Sequence, residues 1–284
     1  MTRLQNFTRQ GLRFDVLDQG PEDGPVVVLL HGFPQDADCW DAVTPLLNAQ
    51  GLRTLAMDQR GYSSGARPTE VNAYRRAELS ADALALADAA GAQRFHLVGH
   101  DWGGVLAWDI AQRAPQRVTS LTALSTPHPT ALRHALKTPG QLKKSWYMGM
   151  FQIPALPERL LAGRIGALTR RAGLPQDATA RYERRFATAD DLRGPLNWYR
   201  AMFRRDGVAD EHAGNGIITV PTTFVWGNED PALGRTAAEE TEVYVHAPYE
   251  FVELDAGHWL PDLEAPAVAE AITNRVSSAT GRAA

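Results

Sequence analysis

Phe95-His96-Leu97-Val98-Gly99-His100-Asp101-Trp102-Gly103-Gly104 is the stretch on which the reading of this chain turns. Phe95 to Val98 is a short apolar run of the kind that forms a buried strand. It breaks at Gly99, and a helix-forming stretch, Val105 to Arg113, begins just past Gly103-Gly104. Strand, sharp turn and helix follow one another, with the carboxylate of Asp101 between flanking glycines. A turn this tight forces its central residue into a strained backbone and leaves no room for side chains two residues away on either side. The plainer alternative is an ordinary strand-to-helix connection in which Asp101 caps the helix.

The surrounding chain has 284 residues, 44% hydrophobic and 22% charged, which is the balance of an ordinary globular protein. That length accommodates one large α/β domain or a domain carrying an insertion. A net charge of −4 and a pI near 6.1 argue against a nucleic-acid partner or an anionic-membrane surface. The apolar runs are too short to span a bilayer, so no membrane insertion is expected, and Met1-Thr2-Arg3-Leu4-Gln5-Asn6 has no apolar signal core. Cys39 is the only cysteine, which excludes an internal disulfide and points to a reducing cytoplasm. Its neighbours Ala37, Trp40 and Val43 suggest a buried helical position, not a catalytic thiol.

Outward from the turn, the same rhythm repeats. Residues 4–8 and 12–18 alternate loosely around Gln10-Gly11, as in a β-hairpin. Val26 to Leu30 is a continuous apolar run, expected of a strand covered on both faces, and it stops at His31-Gly32-Phe33-Pro34. Asp38 to Gln50 reads as an amphipathic helix closed by Gly51, Arg53 to Met57 as a strand, and Ala77 to Ala90 as an alanine-rich helix ended by Gly91. Val118 to Leu124 is a further strand. Residues 128–216 then change character: helical stretches broken by Pro and Gly, rich in Arg and in aromatics that include Trp146, Tyr147, Phe151, Tyr182, Phe186, Trp198, Tyr199 and Phe203. The strand pattern returns at Ile217 to Trp226 and Tyr249 to Leu254, with a closing helix from Ala265 to Val276 and a tail from Ser277 expected to fray. The alternation predicts an α/β fold with a mostly parallel sheet covered on both faces, and functional residues at the carboxyl ends of its strands.

Gly99-His100-Asp101-Trp102-Gly103 resembles the nucleophile elbow of the α/β-hydrolase superfamily, usually G-x-S-x-G. The expected architecture is an α/β-hydrolase core, residues 1–127 and 217–284, with a helical cap, residues 128–216, inserted between late strands. An aspartate in the serine's place changes the chemistry. With a reference pKa of about 3.9 it is already ionised at neutral pH and needs no activating base, whereas serine does. A carboxylate that attacks carbon becomes an ester of the enzyme, and hydrolysing that ester requires a base, an acid to orient the base, and donors for the oxyanion. Superfamily members keep their histidine after the last strand, where this chain has His258 in Asp255-Ala256-Gly257-His258-Trp259. Asp230, in Trp226-Gly227-Asn228-Glu229-Asp230-Pro231, is the candidate orienting acid, with Glu229 its competitor; the alternative location after Leu124 holds only Ser125 and Thr126. The amides of Phe33 and Trp102 are the candidate oxyanion donors. His31 resembles the structural His-Gly of the superfamily, and His100 reads as structural too. With no H-E-x-x-H, paired-Cys motif, Walker loop or G-x-G-x-x-G, no metal and no cofactor is expected.

The resemblance narrows further. His31-Gly32-Phe33-Pro34 is similar to the H-G-x-P motif of epoxide hydrolases, and Gly99 to Gly104 matches their elbow. In that family two cap tyrosines hold the epoxide oxygen. Ser145-Trp146-Tyr147-Met148-Gly149-Met150-Phe151-Gln152-Ile153-Pro154 resembles the first tyrosine segment and Gly194-Pro195-Leu196-Asn197-Trp198-Tyr199-Arg200 the second, which assigns the role to Tyr147 and Tyr199. The loop Arg60-Gly61-Tyr62-Ser63-Ser64-Gly65 departs from the family where a third glycine is common. Opening an epoxide leaves an alkoxide, and two neutral phenols can donate hydrogen bonds to it while one supplies a proton. The resemblance implies an epoxide hydrolase acting on a small-molecule epoxide and water. The cap stretch Trp146, Met148, Met150 and Phe151, with Trp102, is the expected apolar substrate lining. Haloalkane dehalogenase is the alternative, since that family shares the Asp-Trp elbow, although it commonly carries Asn where this chain has Phe33. A non-catalytic binding protein on a hydrolase fold has no need of His258. Oligomeric state is left open, a homodimer included.

Overall fold

The computed structural model describes residues 3–202, 204 and 216–281. Its strands are β1 (Asn6–Arg9), β2 (Leu12–Gln19), β3 (Val26–Leu30), β4 (Arg53–Met57), β5 (Phe95–His100), β6 (Val118–Leu124), β7 (Thr222–Gly227) and β8 (Tyr249–Leu254). They form one sheet in the order β1-β2-β4-β3-β5-β6-β7-β8. β1 pairs antiparallel with β2, and β2 with β4; β3 to β8 are parallel. The hairpin turns on Gln10 and Gly11, whose φ angles of 52° and 76° are those a two-residue primed turn needs. Along β3, Val27 and Leu29 enter one apolar core while Val28 and Leu30 enter the other. Period-2 alternation with both faces covered explains why this strand reads as an unbroken apolar run.

Helices α1 (Thr44–Ala49), α2 (Arg76–Ala89) and α3 (Trp102–Arg113) lie between the first strands. Seven follow β6: α4 (Pro129–Ala135), α5 (Pro139–Lys144), α6 (Trp146–Met150), α7 (Leu156–Leu161), α8 (Ile165–Arg171), α9 (Gln176–Arg185) and α10 (Ala189–Ala201). Between β6 and β7 the described residues contribute no strand to the sheet. α11 (Arg235–Glu240), α12 (Leu260–Leu263) and α13 (Ala265–Thr280) complete the chain. Among the described residues no helix is long and apolar enough to cross a membrane.

Four elements differ from the sequence expectation. The helix expected over 38–50 divides into a 3-10 turn, Ala37–Trp40, and α1, which carries Pro45 in its first turn. A proline there would clash with the carbonyl four residues back in a continuous helix. The strand expected from Ile217 starts only at Thr222, because Pro221 cannot donate to a ladder; Ile218 makes one isolated bridge to Val245. α3 begins at Trp102 and includes Gly103 and Gly104 instead of starting after them. α13 runs through Thr280, so the residues from Ser277 are helical to that point. Phe203 lies outside the described residues.

The parallel strands end together. His31 follows β3, Asp58 follows β4, Asp101 follows β5, Ser125 follows β6, Asp230 follows β7 and His258 follows β8. The site is built along that edge.

Candidate active site

Asp101 has φ 52° and ψ −119°, a left-handed backbone that an L-residue adopts only when its surroundings force it. The forcing is visible at the glycines. A Cβ on Gly99 would lie 2.1 Å from the carbonyl oxygen of Gly103, and one on Gly103 would lie 2.0 Å from that of Leu30. Gly32 lets the loop after β3 approach the carboxylate itself, since a Cβ there would meet Asp101 Cβ at 2.3 Å. Although Asp101 sits at the N-cap position of α3, its side chain makes no capping hydrogen bond. Instead Oδ1 accepts the backbone N–H of Phe33 at 2.7 Å, and Oδ2 lies 3.5 Å from Nε2 of His258. The Trp102 amide heads α3, where an N–H has no intrahelical acceptor.

His258 is buried, and its Nδ1 donates to Asp230 Oδ2 at 2.7 Å. Asp230 is fixed in turn by the amides of Ala232 and Leu233, which donate to Oδ1 at 2.7 and 2.9 Å. Its competitor Glu229 is exposed. Burial alone would drive the His258 proton off. The charges of Asp230 and Asp101 and the hydrogen bonds to them prevail, and hold its pKa up at about 10. Burial likewise pushes Asp101 up, but the hydrogen bond and charge of His258, with the Phe33 amide, bring it below the usual carboxylate value. The resting site is therefore an imidazolium between two carboxylates.

His100 has the structural role expected of it, and two further supports, Ser125 and Lys144, have no signature in the sequence pattern. The carbonyl of His258 accepts from His100 Nε2 and from Ser125 Oγ, each at 2.8 Å. Ser125 thus occupies the place where an acid was sought, and holds the backbone that carries His258. Lys144 Nζ donates to the Asp230 carbonyl at 2.7 Å. His31 is fully buried; its Nδ1 faces the Gly32 carbonyl, its Nε2 accepts the Gln59 amide, and burial lowers its pKa to about 4. A neutral ring with both nitrogens engaged cannot move protons, so His31 holds the loops after β3 and β4 together.

Asp101 opens onto a cavity of about 760 Å³. Trp102, Tyr147 and Tyr199 line it beside the carboxylate, and Val105, Leu132 and Met148 are among its apolar walls. The two tyrosine rings lie 6.2 Å apart in an edge arrangement. Tyr199 also packs against Trp102 at 5.0 Å and Phe33 at 5.6 Å, and takes a hydrogen bond from the Trp102 indole. Burial, followed by the charge of Asp101, raises both phenols above the ordinary tyrosine value, so both stay neutral donors. Tyr182 is buried elsewhere, its hydroxyl bonded to Arg181 at 3.0 Å.

The expected apolar lining is only partly where it was sought. Trp146 is 66% exposed, and neither it nor Met150 lines the cavity. Phe151 is buried behind the wall, against Tyr199 at 4.8 Å and Phe33 at 5.7 Å. Tyr147 and Phe151, four residues apart, share the inward side of α6, whereas Trp146 points to solvent and Met150 packs half-buried against the core away from the cavity.

Residues 25–265 match the family described as the alpha/beta hydrolase fold, and the chain belongs to the epoxide hydrolases of that superfamily. The AB hydrolase superfamily protein YfhM of Bacillus subtilis is 34% identical over 280 residues, covering 94% of each chain. Epoxide hydrolase A of Mycobacterium tuberculosis is 34% identical, over 88% of this chain and 89% of that one. A solved structure from work on novel epoxide hydrolases in metagenomes from hot environments superposes with a TM-score of 0.84 at 30% identity, covering 97% of this chain and 99% of the other. Epoxide hydrolase A from Mycobacterium thermoresistibile gives 0.83 at 29%, covering 95% and 97%.

Proposed function

We propose that this protein hydrolyses an apolar organic epoxide to a vicinal diol through an ester formed on Asp101. The observation that carries the reading is the two-sided placement of that carboxylate: Oδ1 on the Phe33 N–H at 2.7 Å, Oδ2 without a backbone donor among the described residues and 3.5 Å from His258, facing a cavity that also holds two neutral phenols. Residues 128–216 serve as the cap that supplies Tyr147 and Tyr199, and residues 1–127 and 217–284 as the core. The single cysteine fits a reducing cytoplasm.

In the first step Oδ2 attacks an epoxide carbon, the C–O bond breaks, and the departing oxygen takes a proton from Tyr147 or Tyr199. Alkylation removes the negative charge of Asp101, one of the two charges that keep the proton on His258. The imidazolium then restores the phenolate to phenol and is left neutral, which is the form that can act as base. In the second step His258, oriented by Asp230, takes a proton from water as the hydroxide adds to the ester carbon. The oxyanion forms at Oδ1, where the Phe33 amide already points and the Trp102 amide heads α3. Collapse expels the diol oxygen with the proton from His258, and the new carboxylic acid returns its own proton to the ring.

Parallel assays with a styrene-oxide-like epoxide and a bromoalkane test this reading. Diol formation is expected, and Asp101→Asn should abolish it. Halide release without diol formation would make the protein a dehalogenase instead, and a fully active Asp101→Ala variant would exclude both.

A further inference from the structure

Charge and exposed apolar surface are distributed unevenly in this molecule. The chain as a whole is at −4, yet residues 137–171 contain seven Lys or Arg and a single acid, Glu158. Glu158 is buried and held by Arg200 at 2.6 Å, so it does not offset the surface. Lys137, Lys143, Arg159, Arg164, Arg170 and Arg171 are all exposed. Among the described residues none of the six has an acidic partner. The same run collects apolar side chains: six of the eleven large hydrophobic residues left exposed in the described chain, Leu142, Trp146, Ile153, Leu156, Leu160 and Leu168, fall within residues 142–168. Unpaired cations interleaved with exposed Leu, Ile and Trp over consecutive short helices are what an interfacial surface requires: the cations meet anionic headgroups while the aliphatic side chains enter the acyl boundary.

We infer that α5 to α8 form a docking surface for an anionic phospholipid bilayer. The composition favours lipid over nucleic acid. Single-stranded nucleic acid stacks on aromatic rings, and here the exposed apolar groups are aliphatic apart from Trp146, a residue suited to the headgroup level. The position favours lipid as well. Leu136, just before the run, and Met148, within it, line the cavity that contains Asp101, so docking by this face would bring that cavity close to a reservoir in which apolar molecules dissolve. The overall negative charge, which argues against such a surface when spread evenly, lies outside this run.

Flotation of the purified protein with vesicles of phosphatidylcholine and phosphatidylglycerol, against phosphatidylcholine alone, tests the inference without reference to catalysis. Binding is expected only to the anionic vesicles, weakened at least about tenfold between low and high salt as screening removes the headgroup attraction. The combination Lys143→Glu, Arg164→Glu and Arg171→Glu should lower binding at least about tenfold, as should Leu142→Asp with Leu160→Asp, while both variants keep the wild-type rate on a water-soluble epoxide. No flotation with anionic vesicles, or equal flotation of the charge-reversed variant, would overturn the inference. So would loss of vesicle binding alongside self-association or duplex DNA binding that the same substitutions abolish, which would give the surface to a second copy or to nucleic acid. Should the wild type bind vesicles and leave epoxides intact, the docking surface stands and the catalytic reading fails.

Discussion

Tyr147 and Tyr199 are two neutral donors in the cavity of one carboxylate, and in the proposed reaction they act only in the first step. Tyr147→Phe or Tyr199→Phe should slow ester formation by about 10²-fold, while breakdown of an ester already formed keeps its rate because His258 and Asp230 are untouched. Pre-steady-state mixing with separate readouts of alkylation and diol release distinguishes the two rates. Asp262 offers a test of buried charge. Burial raises its pKa to about 7, against the hydrogen bond from Gln35 Nε2 at 2.5 Å. A carboxyl raised on folding contributes stability below its unfolded value of 3.8, and that contribution is lost as pH rises through about 7. Asp262→Asn should therefore melt a few degrees above the wild type at pH 8, with the gain shrinking by pH 5, as thermal unfolding at the two pH values will show. Asp101, Asp230 and His258, proposed as nucleophile, acid and base, could be singled out in the sequence because each lies within four residues of the end of an apolar strand. The cavity walls were not. Met148 faces the cavity while Trp146 and Met150 do not, and a one-turn helix is too short for its sequence to reveal which face turns inward.

At the scale of the element, α10 decides where Tyr199 stands. Thr188 and Asp191 form a capping box at its start, and the Trp198 indole donates to the Arg60 carbonyl at 2.9 Å. Between them the helix backbone touches the loop after β4 directly: a Cβ on Gly194 would lie 2.6 Å from Gly61 Cα, which is backbone and cannot give way. Gly194→Ala should push α10 outward and lower kcat by about 10- to 100-fold, since small displacements of a catalytic group are costly, with Tyr199 still present and the protein folded by circular dichroism. An unchanged kcat would mean that α10 does not set the tyrosine's position. All eight described strands were readable, β1 and β2 from alternation around Gln10-Gly11 and β3 to β8 from apolar runs, while the helix expected over 38–50 was not, because Pro45 sits where the amphipathic pattern is otherwise continuous. Pro221 shortened β7 in the same way.

Across the whole molecule, the sheet order brings residues from six separate strand ends to one edge, and Tyr147, Met148, Trp198 and Tyr199 from the helices between β6 and β7 line the same cavity as Asp101. Arg185 of α9 ties the two parts, reaching Asp58 at 2.5 Å and Asp36 at 3.1 Å. None of these long-range pairings is written in local sequence; they follow from the topology, which the strand-helix rhythm does specify. The proposed reaction turns on one chemical event, the transfer of the substrate carbon to Asp101, with His258 needed only to undo it. The direct measurement is intact-protein mass of the His258→Gln variant after incubation with a styrene-oxide-like epoxide, followed by peptide mapping. A stable mass increase equal to one epoxide is expected, carried on the peptide containing Asp101, with little diol released. Diol formation at the wild-type rate without any adduct, or an adduct on a different residue, would contradict it.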